Sequence, residues 1–124
     1  MCYSIIIPIH NEAIILDQLL PRLKEFVTNK HEIIIVDDGS TDESTKILDK
    51  YKFIHLIKLK KNSGKGFAIK SGLKSASNEK IIIFDGDMEL DPSDINKLMI
   101  LNEKDDICCV FGTRFDRISA FSSL

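Results

Sequence analysis

Ile81-Ile82-Ile83-Phe84-Asp85-Gly86-Asp87-Met88-Glu89 is the stretch on which the reading of this chain turns. A short, continuous run of large apolar residues with polar flanks has the form of a strand buried on both faces. The carboxylates of Asp85, Asp87 and Glu89 follow that run directly, and burying charge there is unfavourable unless a cation meets it. A spacing of two sets alternate side chains on one side of an extended segment, so these acids would converge and repel. Mg²⁺ or Mn²⁺, which take oxygen ligands and share them with a diphosphate, would join them. Gly86 lets the backbone approach a ligand closely or turn where other residues cannot. The other reading is a polar loop with helix-capping acids, and Asp-x-Asp alone does not choose between the two.

The same apolar form recurs outward from this point. Tyr3–Ile9, residues 33–36, residues 53–59 and residues 107–111 read as further strands, the third more like an edge. Helical spacing fills the intervals. Leu16, Leu19, Leu20, Leu23, Phe26 and Val27 mark a helix over 12–28, with Asn11 as its cap and Pro21 expected to kink it. Ser40-Thr41-Asp42-Glu43 has capping-box spacing ahead of Ile47, Leu48 and Tyr51. A helix over 64–76 sets Ile69, Leu73 and Ala76 on one face beside Gly72. Asp91 and Pro92 open a last helix through Ile95, Leu98 and Met99. Buried strands alternating with helices imply an α/β fold with a mainly parallel sheet covered on both sides. In such sheets ligands bind outside the carboxyl ends of the strands.

The unusual polar residues fall at those ends. Pro8, His10 and Glu12 follow the first strand; Asp37, Asp38, Gly39 and Ser40 the second; Asn62, Gly64, Lys65 and Gly66 the third; Asp85 to Glu89 the fourth; Thr113 and Arg114 the fifth. Each has a plainer reading. His10 stacks on a base or merely ends a strand, and Glu12 is also a favourable first-turn acid. Asp38 accepts hydrogen bonds from a base or ribose, or belongs to a turn that Gly39 and Ser40 shape. Arg114 pairs with a phosphate oxygen or is a surface charge. Lys65 lies between glycines, yet no Walker pattern is present.

Composition excludes several classes. The formal charge of -2 gives no basic field for nucleic acid, and the lysines between Lys58 and Lys74 read as a solvated face. Cys2, Cys108 and Cys109 lack metal-ligand spacing and fit a reduced, cytoplasmic compartment. No apolar run approaches the ~20 residues of a membrane span.

Taken in order, Pro8-x-x-Asn11-Glu12, Asp37-Asp38-Gly39-Ser40-Thr41-Asp42, Asn62-x-Gly64-Lys65-Gly66, Asp85-x-Asp87-x-Glu89 and Gly112-Thr113-Arg114 resemble the inverting family-two glycosyltransferases. The likeness is greatest to the branch with dolichyl-phosphate mannose synthases and bacterial polyprenyl-phosphate glycosyltransferases. It implies a Rossmann-like GT-A fold, a UDP- or GDP-sugar donor, a divalent metal (Mg²⁺ or Mn²⁺), and a lipid phosphate or glycan as acceptor. By that resemblance Pro8, His10, Glu12, Val36 and Asp38 line the nucleoside pocket. Asp85, Gly86 and Asp87 meet the diphosphate, Asp85, Asp87 and Glu89 hold the metal, and Asp87 and Arg114 serve catalysis. His10 stands where relatives commonly carry Tyr, and Glu89 where they often carry Gln. Relatives continue well beyond this length, so residues 1–124 are expected to be one nucleotide-sugar-binding domain without the acceptor half. Its expected place is the cytoplasm, at a membrane's cytoplasmic face only through other parts of the protein. Alternatives are a nucleotide-binding remnant without turnover, a receiver-type phospho-acceptor domain, and a dehalogenase-like phosphatase built on Asp85 and Asp87.

Overall fold

Side chains along Tyr3–Ile9 (β1) alternate between two apolar layers. Ile5, Ile7 and Ile9 enter one layer, and Ile6 enters the other. A strand buried on both sides needs helices on both faces. The computed structural model describes residues 2–84, 95–99, 107–112 and 118–122. The chain continues as α1 (Ala13–Thr28), β2 (Glu32–Asp38), α2 (Ser44–Asp49), β3 (His55–Leu59), α3 (Lys65–Ser75), β4 (Lys80–Phe84), α4 (Ile95–Leu98), β5 (Ile107–Gly112) and β6 (Ile118–Ser122).

The strands form one sheet in the order β3-β2-β1-β4-β5-β6. β1 to β5 run parallel, and β6 returns antiparallel on β5. The winding goes outward from β1 to β3, and α3 then carries the chain back to β4 on the other side of β1. That reversal is a topological switch point, and the crevice beside it, at the carboxyl ends of β1 and β4, is where open α/β sheets take ligands. The expected α/β arrangement therefore holds. It differs from the receiver architecture, whose strand order is 2-1-3-4-5.

Leu16, Leu19, Leu20, Leu23 and Phe26 of α1 pack with Ile33, Ile35, Ile82, Phe84 and Ile95 on one face of the sheet. Ala68 of α3 packs with Ile34, Val36, Ile81 and Ile83 on the other. α1 runs continuously through Pro21, which lies on its exposed side, where water can reach the carbonyl that proline leaves without a donor. The face of α3 expected from sequence holds at Ile69 and Ala76, which pack against this second layer, and is corrected at Leu73. Leu73 is 42% exposed, while Ala68 and Gly72 turn inward. The reason is closeness: a Cβ on Gly72 would lie 2.7 Å from Ile6 Cγ2 and 3.3 Å from Val36 Cγ2, so only the smallest residues fit against the sheet.

A polar cluster locks the amino-terminal edge. The buried Ser4 hydroxyl donates to Glu32 (2.7 Å) and accepts from the Asn78 backbone N–H and side chain (3.2 Å each). Glu32 also accepts from Ser77 N–H (2.8 Å) and Ser77 Oγ (3.0 Å). This ties the turn after α3 to the start of β1 and β2.

Candidate functional site

Parallel pairing brings the strand ends to one rim: Ile9 is level with Asp37, and Asp38 with Leu59. β2 is longer than the apolar pattern implies and includes both acids. Alternation along a strand then sends neighbouring side chains to opposite faces. Asp37 accepts from Ser40 N–H (3.1 Å) and Thr45 Oγ1 (2.5 Å), on the α2 side. Asp38, 4% exposed, turns towards α3, where Oδ1 accepts from Ser63 N–H (2.7 Å) and Oδ2 from Gly64 N–H (2.9 Å). The two carboxylates thus diverge and do not act as a pair. Gly39 follows at φ +66°, with Asn62 N and Lys61 C both 2.3 Å from where a Cβ would stand. Only glycine allows the second and third loops to meet so closely.

The first loop joins them through His10 and Asn11. His10 Nδ1 lies 2.8 Å from the Asp38 carbonyl oxygen, and its Nε2 lies 3.2 Å from Asn62 Nδ2 and 3.3 Å from Asn11 Nδ2. Asn11 is not the helix cap expected from sequence. It sits at φ +52°, a conformation that asparagine tolerates better than most residues. Its Oδ1 accepts from Thr41 N–H (2.8 Å) and Asp42 N–H (3.3 Å), and its own N–H donates to Ser40 Oγ (3.0 Å). Glu12 takes the N-cap position without a side-chain cap bond. The donors at the start of α1 are met from the second loop: Glu12 N–H by Ser44 Oγ (3.0 Å) and Ala13 N–H by Asp42 Oδ2 (3.3 Å). Burial opposes the Asp42 charge, but bonds from Ser44 and from the Ala13 N–H outweigh it and hold the carboxyl below its usual range. The capping box is corrected as well. Ser40 serves Asn11, and α2 begins at Ser44 behind Glu43, which makes no cap bond.

Of the residues expected at the site, His10 and Asp38 are joined directly on the rim, and Glu12 adjoins them at the head of α1. Pro8 is buried in β1 opposite Val36. Val36 is fully buried in the layer shared with α3. Asp85, Gly86, Asp87, Glu89 and Arg114 lie outside the described residues; β4 delivers the chain to the same rim at Phe84, the residue before Asp85. Among the described residues no group of three or more His, Cys, Asp or Glu is placed to hold a metal. Sequence reasoning missed the roles of Asn11, Asn62 and Ser44. The available signal was the position of both asparagines in loops after strands, where such side chains commonly bond backbone groups.

Residues 4–122 match the family model described as Glycosyl transferase family 2. The chain is 34% identical to a dolichyl-phosphate beta-glucosyltransferase of Dictyostelium discoideum, over 90% of this chain and 39% of that protein. Among solved structures it resembles S. aureus TarS residues 1–349 in complex with UDP-GlcNAc, with TM-score 0.67 and 29% identity, over 78% of this chain and 30% of that one. It also resembles the mannosyltransferase PcManGT from Pyrobaculum calidifontis in complex with GDP-Man and Mn²⁺, with TM-score 0.61 and 26% identity, over 68% of this chain and 27% of that one. The chain spans under two fifths of the length of these relatives. On the sheet order, the rim and the match across nearly all its residues, the chain belongs to glycosyl transferase family 2.

Proposed function

We propose that this chain holds the nucleoside diphosphate of a sugar donor for a transferase that moves the sugar, with inversion, onto a polyprenyl phosphate. The observation that carries this reading is the rim. β1 and β2 set His10 and Asp38 against each other at the carboxyl ends of the strands, and β4, on the other side of β1, ends at that rim immediately before the acidic segment. The names of the relatives support the chemistry: one acts on dolichyl phosphate, and two solved structures hold UDP-GlcNAc or GDP-Man.

In the proposed reaction an acceptor oxygen forms a bond to the anomeric carbon as the bond from that carbon to the diphosphate breaks. The nucleoside diphosphate leaves with the electron pair. A polyprenyl phosphate arrives as an anion and needs little help from a general base. Pro8, His10, Glu12, Val36 and Asp38 shape the nucleoside side, and Arg114 sets fixed positive charge against the charge growing on the diphosphate. Asp85, Asp87 and Glu89 form an oxygen-only donor set of the kind that suits Mg²⁺ or Mn²⁺, and the Mn²⁺ bound with GDP-Man in PcManGT supports it. Such an ion, when bound, supplies Lewis-acid stabilisation of the leaving diphosphate. No helix among the described residues is long and apolar enough to cross a membrane. The place of action in this reading is the cytoplasmic face of a membrane, where a lipid phosphate is presented.

Thermal unfolding with UDP-glucose and GDP-mannose, with and without Mn²⁺, tests the reading. A ligand at ~100 times its Kd should stabilise by about 2.7 kcal/mol, on the order of 10 °C. The stabilisation should need the metal and disappear in Asp87→Ala. No stabilisation by either donor, or an unchanged one in Asp87→Ala, contradicts it.

A further inference from the structure

The imidazole of His10 is bonded at both nitrogens by groups whose hydrogen-bonding sense is fixed. The Asp38 carbonyl oxygen, 2.8 Å from Nδ1, only accepts, so Nδ1 carries the hydrogen. The amide nitrogens of Asn62 and Asn11, 3.2 and 3.3 Å from Nε2, only donate, so Nε2 accepts. Backbone N–H groups fix the orientation of the Asn11 amide and favour that of Asn62. Asn62 Oδ1 accepts from Gly64 N–H at 3.2 Å, and Asn11 Oδ1 accepts from Thr41 N–H at 2.8 Å. A backbone N–H cannot reverse, so Asn11 must turn its NH₂ to the ring; the Gly64 N–H, which also donates to Asp38 Oδ2 at 2.9 Å, favours the same orientation for Asn62.

We propose that Asn11 and Asn62 are positioning residues that hold His10 as its Nδ1–H tautomer, so that it meets a nucleoside base with its face and not with an edge. One ring thereby ties together the loops after β1, β2 and β3. Rotating it to offer an edge would break bonds to all three loops, and leave the Asp38 carbonyl facing a hydrogen-free nitrogen or a carbon. Stacking on the ring face, a contact indifferent to which base edge is presented, breaks none of these bonds. His10 therefore neither transfers a proton nor reads purine against pyrimidine. The face-on contact rests on the nucleotide-donor reading; the tautomer does not.

Long-range proton–nitrogen correlation NMR of the chain, at about pH 8 where a histidine ring is ordinarily neutral, tests this. In the unmodified protein, His10 Nδ1 should be pyrrole-like and Nε2 pyridine-like. Asn62→Asp keeps an oxygen for Gly64 N–H and sets a carboxylate oxygen in place of the nearer of the two donors to Nε2; a charge-assisted bond outweighs the remaining 3.3 Å contact from Asn11, so Nε2 should then gain a proton. A purely structural Asn62 would leave the ring nitrogens as they were. Saturating UDP or GDP should shift the ring's carbon-bound protons and leave both nitrogen signals in place. An Nε2–H ring in the unmodified protein, unchanged nitrogens in Asn62→Asp, or nitrogen signals that move with nucleotide would overturn the proposal. An Nδ1–H ring in a protein that binds neither nucleotide would uphold the positioning role and remove the donor reading instead.

Discussion

Asp38 shows how one residue ties three loops of the candidate site together. Its carboxylate holds the backbone of Ser63 and Gly64, its carbonyl holds His10, and the glycine after it admits the third loop. A hydrogen bond to a charged group contributes about 1.5–3 kcal/mol. Asp38→Asn sets an NH₂ against one of the two N–H groups, so urea unfolding should show a loss of about 2 kcal/mol. Unchanged stability would mean that Asp38 does not clamp the loop. The run Asp37-Asp38 stood out in the sequence as a candidate, but its geometry was not legible there. The apolar pattern stops at Val36 while the strand continues to Asp38, and that extension decides which face each acid occupies.

At the scale of elements, hydrophobic pattern disclosed most of the helices and strands, because burial sets the period that sequence displays. Every buried position of α1 was visible that way. Errors arose where a distant partner decides the outcome. Ser40 and Glu43 have capping-box spacing, yet Ser40 is taken by Asn11, a residue from another loop. Leu73 looks like core, yet the fit of Gly72 on Ile6 turns it outward. β6 carried too short an apolar pattern to be seen before its pairing with β5. The junction where β2 begins also sets the acid response. Burial lowers the His31 pKa from its ordinary 6.5. For Glu32, burial works to raise the value, but bonds from Ser77 and Ser4 prevail and lower it from 4.5. Both groups bind protons less readily in the folded chain. Their stabilisation is complete above the unfolded values and is lost as pH falls through the folded ones. The urea midpoint should therefore decline as pH falls from about 7, His31 contributing first, and decline further below about pH 4.5 as Glu32 is protonated. A flat or rising midpoint would contradict this.

For the whole molecule, the decisive fact is the sheet order. Local pattern names strands but does not say that β4 crosses to the far side of β1, which opens the crevice between them. The ordered motifs along the chain supplied only the expectation of a Rossmann-like GT-A fold through family resemblance, and the family match over residues 4–122 agrees with that resemblance. The account stands on one nucleotide site at the carboxyl rim. Mn²⁺ added with UDP or GDP tests this most directly, since its unpaired electrons broaden nearby NMR signals. The amides of His10, Gly39, Ser63 and Gly64 should broaden, and those of Glu32, Ser77 and Asn78 at the opposite edge should stay sharp. Broadening centred on Glu32 and Ser77, or none that depends on nucleotide, would contradict the account.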